Sequence, residues 1–183
     1  ELEIHYTAPY DPHLSGLYKV EDNQLPYIFS QFEAIGARKV FPGFDEPRFK
    51  VPFDLTLEIK QGDKGFTNTP QISSENLTDG YQRLTFATTK PLPTYLLAFT
   101  VGDLDVVEYQ PVPASAVRET PLPLRGIAVK GKGGQLKFAL ENTASILAIL
   151  EYYFGTPYPY QKLDLVAVPD FAAGAMENAG IIT

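Results

Sequence analysis

The sequence contains no cysteine and only two histidines among its 183 residues. Without cysteine, neither a disulfide framework nor a thiolate metal site can form. His5 and His13 lie eight positions apart in a stretch rich in tyrosine and proline, so no helix would place them on one face as zinc ligands. We therefore expect no metal site within this chain.

Positive charge is also scarce, with 15 lysines and arginines against 22 aspartates and glutamates and a net charge of −7. Nucleic-acid binding selects clustered basic residues, so this composition argues against a nucleic-acid partner. No apolar run reaches the roughly 18 residues that a membrane-spanning helix needs, and no membrane segment is predicted. The sequence also lacks a Gly-x-Ser-x-Gly nucleophile motif and a glycine-rich phosphate loop, and nothing in it indicates a cellular compartment.

The first two thirds of the chain has the pattern of β-structure. In residues 51–60, VPFDLTLEIK, apolar and polar residues alternate, which is typical of a half-buried strand. Residues 82–89 alternate similarly, and the apolar run at 94–109 indicates a strand covered on both faces. Turn-forming stretches separate these runs, so we predict an antiparallel β-sandwich or an open β-saddle.

The pattern changes after Val129, where a glycine- and lysine-rich connector leads into helical spacing at 135–154. Gly155 is a suitable helix stop, and residues 162–168 have the pattern of a further strand. The predicted buried face of the helix comprises Leu136, Ala139, Leu140, Thr143, Ile146, Leu147, Leu150, Tyr153 and Phe154. We predict a β-domain at 1–129 and the beginning of a second domain at 130–183, because the latter is too short to bury its own apolar faces.

Two stretches contain polar residues that could line a cleft. The first, residues 30–55, has the composition of a structured turn, from which Gln31 and Glu33 could reach a cleft. The second is DFAAGAMENAGIIT at 170–183, where Glu177 is the one acidic side chain between Gly174 and Gly180. A carboxylate on such an edge could bind an ammonium group, while a solvated glutamate in a connection is the simpler interpretation of the residues alone.

The motifs of these stretches resemble those of the M1 family of zinc aminopeptidases. Gly174 to Asn178, GAMEN, matches the exopeptidase motif of that family. QFEAIGARKVFPGFDEPRFKVPFDLTL, TYLLAFTVGDLD and FGTPYPYQKLDLVAVPDF resemble further blocks of the family in the same order. The resemblance runs from near Gly16 to the last residue and implies a β-saddle followed by a thermolysin-like α/β catalytic domain.

The resemblance also implies roles for individual residues and for a metal. Glu177 is similar to the carboxylate that binds the free α-amine of a peptide substrate, and Gln31 to a glutamine that supports this amine. Gly174 and Ala175 resemble the backbone positions that hold the peptide as an added strand, and Met176 resembles a wall of the first side-chain pocket. Asn178 completes the motif.

Zinc in the family is held by a His-Glu-x-x-His helix and a later glutamate, and none of these is present here. The resemblance therefore implies a fragment that begins within the saddle and ends before the zinc site. We expect it to contain no catalytic residue, to need the remainder of the catalytic domain, and to be inactive alone.

Two departures and several alternatives remain. Position 43 is glycine where many relatives have cysteine, and position 179 is alanine where many have a large side chain, which leaves substrate specificity open. The family branch that also hydrolyses a lipid epoxide usually carries glycine in place of Ala175, so Ala175 favours a plain aminopeptidase. A non-catalytic module that binds peptide amines through Glu177 and Gln31, and a structural β-domain with an accidental motif, are the alternatives outside the enzyme class.

Overall fold

The computed structural model describes residues 2–183 and is mainly β-structure, as predicted. Its strands are β1 (Gly16–Asp22), β2 (Leu25–Gln31), β3 (Thr56–Lys60), β4 (Lys64–Thr67), β5 (Gln71–Asn76), β6 (Tyr81–Phe86), β7 (Phe99–Gly102), β8 (Leu104–Val112), β9 (Leu122–Val129), β10 (Leu163–Ala167) and β11 (Ile181–Ile182). The α-helix of these residues, α1, spans Lys137–Phe154.

The strands form three sheets. The first has the order β1-β2-β7-β4 and the second has the order β3-β6-β5, and all their pairings are antiparallel. The third has the order β11-β10-β9-β8, with β8 and β9 antiparallel and the two other pairs parallel. The predicted class, antiparallel β-structure followed by a helix and further strands, is confirmed.

The first and third sheets share one apolar core, which fixes their relative position. Its buried members come from both sheets and from the residue before β7: Tyr18, Val20, Tyr27, Phe29, Ala98, Leu104, Ile127, Val129, Val166 and Ile181. Burial of this much apolar surface is the main stabilising term for such a junction. The strands that flank the GAMEN stretch are therefore held rigidly against the first sheet.

Helix α1 packs on the third sheet through Leu140 and Leu147, and the turn before it packs through Leu136; all three belong to one apolar cluster with Leu124 and Leu163. The helix begins two residues later than predicted, after a short 3₁₀ turn at Gly133–Leu136. Its end is as predicted, since Gly155 adopts the left-handed conformation (φ 63°) and donates its N–H to Glu151.

The predicted buried face of α1 is only partly correct. Leu136, Leu140, Thr143 and Leu147 are buried, as predicted. Ala139 is exposed, as are four large apolar residues of the predicted face: Ile146, Leu150, Tyr153 and Phe154. The physical reason is that the third sheet covers one side of the helix, and nothing else within residues 2–183 covers the other.

Three of the predicted strands are shorter than their sequence pattern, since 51–60, 82–89 and 162–168 correspond to β3, β6 and β10 respectively. Before β3, Phe53 and Leu55 are half-buried and Asp54 is exposed, as the pattern predicts. Val51 is exposed and makes only an isolated bridge to Leu92, and Pro52 has no N–H to donate. The single strand predicted at 94–109 is wrong. The segment is a 3₁₀ turn followed by two strands, β7 in the first sheet and β8 in the third sheet. The chain passes from one sheet to the other at Gly102. A Cβ at Gly102 would lie 2.5 Å from the ring of Tyr27, so only glycine permits this passage.

The predicted division at residue 129 falls between β9 and β10, which are neighbours in the third sheet. Hydrogen bonds of that sheet therefore connect residues on the two sides of the division. The assignment of 1–129 and 130–183 to two domains stays a prediction.

Candidate functional site

The GAMEN stretch connects β10 to β11 and has no regular secondary structure of its own. Met176 exchanges two backbone hydrogen bonds with Thr183, at 2.6 Å from the Met176 N–H and 3.0 Å from the Thr183 N–H. In an antiparallel pairing, neighbouring residues direct their N–H and C=O groups to the opposite side. Ala175 and Glu177 make no backbone hydrogen bond within residues 2–183, so this side of the stretch is an unpaired edge.

Side chains along this edge alternate between buried and exposed positions. Met176 is 1% exposed and Asn178 is 3% exposed, and the Asn178 amide donates to the hydroxyl of Thr183 at 3.3 Å. Glu177 lies between them and is exposed, and its carboxylate has no hydrogen bond or ion pair within the described residues. A fixed segment with two inward side chains thus presents one unpaired carboxylate outward.

Gln31 lies at the end of β2 and is half-buried. Its Oε1 atom is buried and has no hydrogen-bond donor among residues 2–183. A buried acceptor without a donor is unfavourable by about 1–3 kcal/mol, so such atoms commonly mark positions where a ligand or water completes the bonding. Glu33, the other polar candidate of this stretch, is exposed.

No hydrogen bond joins the side chains of Gln31 and Glu177 within residues 2–183, but their neighbours in the chain are linked through Asn68. The hydroxyl of Ser30, next to Gln31, accepts the N–H of Phe99 at 2.9 Å. The neighbouring Ala98 N–H donates to Asn68 Oδ1 at 2.9 Å. Asn68 in turn donates to the carbonyl of Ala179 at 2.9 Å. The end of β2 and the GAMEN stretch are therefore parts of one connected region.

A buried charge network lies directly behind the stretch. Asp164 is fully buried and accepts two hydrogen bonds from Arg125, at 2.9 and 2.8 Å, and an ion-pair contact from Lys162 at 2.8 Å. Lys162 also donates to the carbonyl of Gly180 at 2.9 Å. Burial lowers the pKa of Lys162 to about 8, although Asp164 partly opposes this shift. The network joins β9, β10 and the turn that follows GAMEN.

The described residues do not fit a zinc site. No group of three histidine, cysteine, aspartate or glutamate side chains in residues 2–183 is arranged to hold a metal ion. His5 and His13 are exposed and belong to the N-terminal segment before β1. No chemical step through a metal is therefore assigned to these residues.

Two family models match the sequence, one in each half. The Peptidase M1 N-terminal domain matches residues 1–96, and the Peptidase family M1 domain matches residues 138–183. The chain belongs to peptidase family M1. The resemblance drawn from its motifs is thereby confirmed.

Relatives of this M1 chain are aminopeptidases from several kingdoms. Aminopeptidase M1-B of Oryza sativa subsp. japonica is 36% identical over 186 residues, which cover 100% of this chain and 20% of that protein. Endoplasmic reticulum aminopeptidase 1 of Homo sapiens is 34% identical over 185 residues, which cover 98% of this chain and 19% of that protein. Aminopeptidase N of Acetobacter pasteurianus is 35% identical over 189 residues, covering 100% and 51%. The chain thus spans about a fifth of the length of the first two and half that of the third.

The α-helix in the described part of this M1 chain, α1, is not apolar enough along its length to cross a membrane.

The structure places the predicted site residues in two groups. The first is contiguous, from Gly174 to Asn178, and the second is Gln31 at the end of β2. Sequence reasoning did not single out Asn68, Lys162 or Asp164. Asn68 had no local signal, because its partner Ala179 is 111 positions away. The signal for Asp164 was an acidic residue inside an apolar strand, where a charge is seldom found without a partner.

Proposed function

We propose that this chain carries the part of a zinc-dependent aminopeptidase that binds the free N-terminal amine of a peptide substrate. The observation that supports this most is the carboxylate of Glu177, which is unpaired within residues 2–183 and lies on an edge whose outward backbone groups are also unpaired there. A carboxylate and an ammonium group form charge-assisted hydrogen bonds, which are about twice as strong as neutral ones. Glu177 is the proposed amine anchor.

The other residues of the site have positioning roles in this proposal. An extended peptide lies along Gly174 and Ala175 as an added strand, using the backbone groups of Ala175, which make no hydrogen bond within residues 2–183. The Oε1 atom of Gln31 accepts a hydrogen bond from the substrate amine. Met176 is buried beneath the edge and is the proposed wall of the first side-chain pocket, and Asn178 fixes the edge through Thr183.

Exopeptidase specificity follows from this arrangement. A peptide with a free N-terminus places its ammonium group on Glu177, whereas an internal segment leaves the carboxylate without a partner. Specificity is a difference between such binding free energies, so one charged anchor selects terminal over internal residues. Peptides that end in a free amine are the proposed substrates.

The zinc of the proposed enzyme requires ligands that these residues do not contain. We propose that they lie in a longer natural protein, of which residues 1–129 form part of an N-terminal β-saddle and 130–183 the beginning of the catalytic domain. The remainder of that domain is the proposed partner of this chain, and the chain alone is proposed to be inactive.

A second candidate is a module that binds peptide amines without hydrolysing them. The observation in its favour is the exposed carboxylate of Glu177, which can bind an ammonium group without a metal. Zinc content and hydrolysis of a leucine amide by the longest natural protein that contains this sequence separate the two functions. About one zinc per chain with hydrolysis supports the enzyme, and amine binding without zinc supports the module.

The anchor role is tested by Glu177→Ala in that longest natural protein. Loss of a hydrogen bond to a charged group costs about 1.5–3 kcal/mol, so we expect KM for a leucine substrate to rise roughly 10- to 150-fold. The value of kcat should change much less, because the anchor binds substrate and transition state alike.

Glu119→Ala is the matched control, since Glu119 is also exposed and makes no hydrogen bond or ion pair within the described residues. Its KM should equal that of the wild type. Equal KM values for Glu177→Ala and Glu119→Ala would rule out the anchor role.

A further inference from the structure

Asn68 lies in the connection between β4 and β5, and its side chain is 3% exposed. Its amide nitrogen donates to two carbonyl oxygens, Leu96 at 2.8 Å and Ala179 at 2.9 Å. Its amide oxygen accepts the N–H of Ala98 at 2.9 Å. Three segments that are distant in sequence therefore meet at one buried side chain.

The chemistry of these contacts requires a neutral amide. Asparagine offers two N–H donors and one oxygen acceptor on a short stem, and all three functions are used here. An ionised aspartate would keep the bond from Ala98 but turn an acceptor toward two carbonyl oxygens. The site thus specifies the amide group and not only its shape.

The turn at Ala179 and Gly180 is held against Asn68 by packing as well. Gly180 has a positive φ of 75°, and a Cβ there would lie 2.4 Å from the backbone carbonyl oxygen of Asn68. Real side chains cannot approach this closely, so the turn lies directly on the Asn68 backbone. The turn is also held by Lys162, whose Nζ donates to the carbonyl of Gly180 at 2.9 Å.

We propose that Asn68 is a positioning residue for the amine site. It fixes the carbonyl of Ala179, two residues after Glu177, and so sets the position of the Glu177 carboxylate from a distant part of the β-structure. The consequence for substrate rests on the proposed function of Glu177, whereas the effect on the turn itself does not. Two measurements on the longest natural protein that contains this sequence separate the effect of Asn68 on the turn from its effect on substrate binding.

The first measurement is hydrogen–deuterium exchange of peptides covering residues 176–183 in Asn68→Asp. Loss of the donor to Ala179 should raise exchange there by about tenfold, as expected for one buried hydrogen bond. Exchange in β6 should stay unchanged. The matched control is Asn76→Asp, because Asn76 is exposed and its side chain makes no hydrogen bond within the described residues. Equal exchange at 176–183 in the two variants would overturn the proposal.

The second measurement is a double-mutant cycle on KM with Glu177→Ala. Asn68→Asp alone should raise KM by about tenfold with little change in kcat. In the Glu177→Ala background it should raise KM no further, because a displaced carboxylate has already been removed. A full tenfold rise in that background would reduce Asn68 to a general structural role and overturn the positioning claim.

The two proposals can fail separately. If Glu177→Ala leaves KM unchanged, the proposed function fails, and the exchange measurement still decides whether Asn68 fixes the turn. If Asn68→Asp does not fold, Asn68→Ser replaces it. Serine is neutral and too short to reach the carbonyl of Ala179, and the same results for exchange and KM are expected.

Discussion

Replacing Glu151 with glutamine perturbs a buried ion pair between the end of α1 and the loop that follows β8. Glu151 is 3% exposed and Arg118 is 8% exposed. One carboxylate oxygen of Glu151 accepts hydrogen bonds from Arg118 Nε at 2.8 Å and from the N–H of Tyr158 at 2.9 Å. Arg118 also donates to the carbonyls of Thr120 and Pro113. The pair therefore joins three segments around the helix end.

The expected cost follows from these contacts. Glutamine keeps the shape and one carbonyl oxygen but removes the charge. The bond from the Tyr158 N–H then weakens from the charged range of about 1.5–3 kcal/mol to the neutral range of about 0.5–1.5 kcal/mol, whereas the bond from Arg118 keeps a charged donor. Arg118 also loses its buried counter-charge. We expect Glu151→Gln to lower the free energy of unfolding by about 2–4 kcal/mol.

The assay is urea unfolding at pH 7 of the wild type, Glu151→Gln and the control Glu141→Gln. Glu141 lies on the same helix but is exposed, and its contact with Lys137 is 3.7 Å long. Such surface pairs contribute about 0.5 kcal/mol or less, so the control should resemble the wild type. If Glu151→Gln does not fold while Glu141→Gln does, this result also agrees with the expected loss of stability.

The pH dependence gives an independent signature. Burial raises the pKa of Glu151, but the bonds from Tyr158 and Arg118 outweigh it and hold the pKa below its ordinary value of 4.5. The stability from this carboxylate is therefore complete above pH 4.5 and is lost as pH falls through the folded-state pKa. The difference in the free energy of unfolding between the wild type and Glu151→Gln should therefore become smaller below pH 4.5. Equal stabilities of the two glutamine variants at pH 7 would refute this account of the ion pair.

Two further predictions concern the network behind the site and the chain by itself. Because burial lowers the pKa of Lys162 to about 8, the unfolded chain binds more protons than the folded one between pH 8 and 10.5. Unfolding experiments should therefore show the stability of the wild type rising relative to Lys162→Met over this range, by up to about 3 kcal/mol. A stability difference between the wild type and Lys162→Met that stays constant from pH 8 to 10.5 would contradict the lowered pKa of Lys162. Metal analysis and leucine amide assays of the 183-residue chain should show neither stoichiometric zinc nor hydrolysis, and either one would count against the proposed location of the ligands.

Features that depend on local pattern were predictable from the sequence. The rhythm of residues 135–154 and the glycine at 155 are local signals, so the helix and its end were predicted correctly. The alternation at 51–60 likewise identified β3. In contrast, β5 is exposed along its whole length, so no apolar alternation marked it as a strand.

Features that depend on distant partners were not predictable in this way. The exposure of Ile146 and Tyr153 depends on what covers the outer face of α1, which no helical pattern can indicate. The contact of Asn68 with Ala179 spans 111 positions, and a single asparagine in a turn gives no sign of it. For Glu177 the residues alone favoured a solvated side chain, and the family motif was needed to suggest a binding role. The structure adds that Met176 and Asn178 are buried, while the carboxylate of Glu177 is exposed and has no partner among residues 2–183.

The central claim is that the Glu177 carboxylate recognises a free N-terminal amine. The most direct measurement compares a leucyl substrate with its N-acetylated form, in the wild type and in Glu177→Ala of the longest natural protein that contains this chain. The account predicts that the wild type strongly prefers the free amine, and that the preference falls by roughly 10- to 150-fold in the variant. An undiminished preference in Glu177→Ala would contradict the claim and place amine recognition elsewhere.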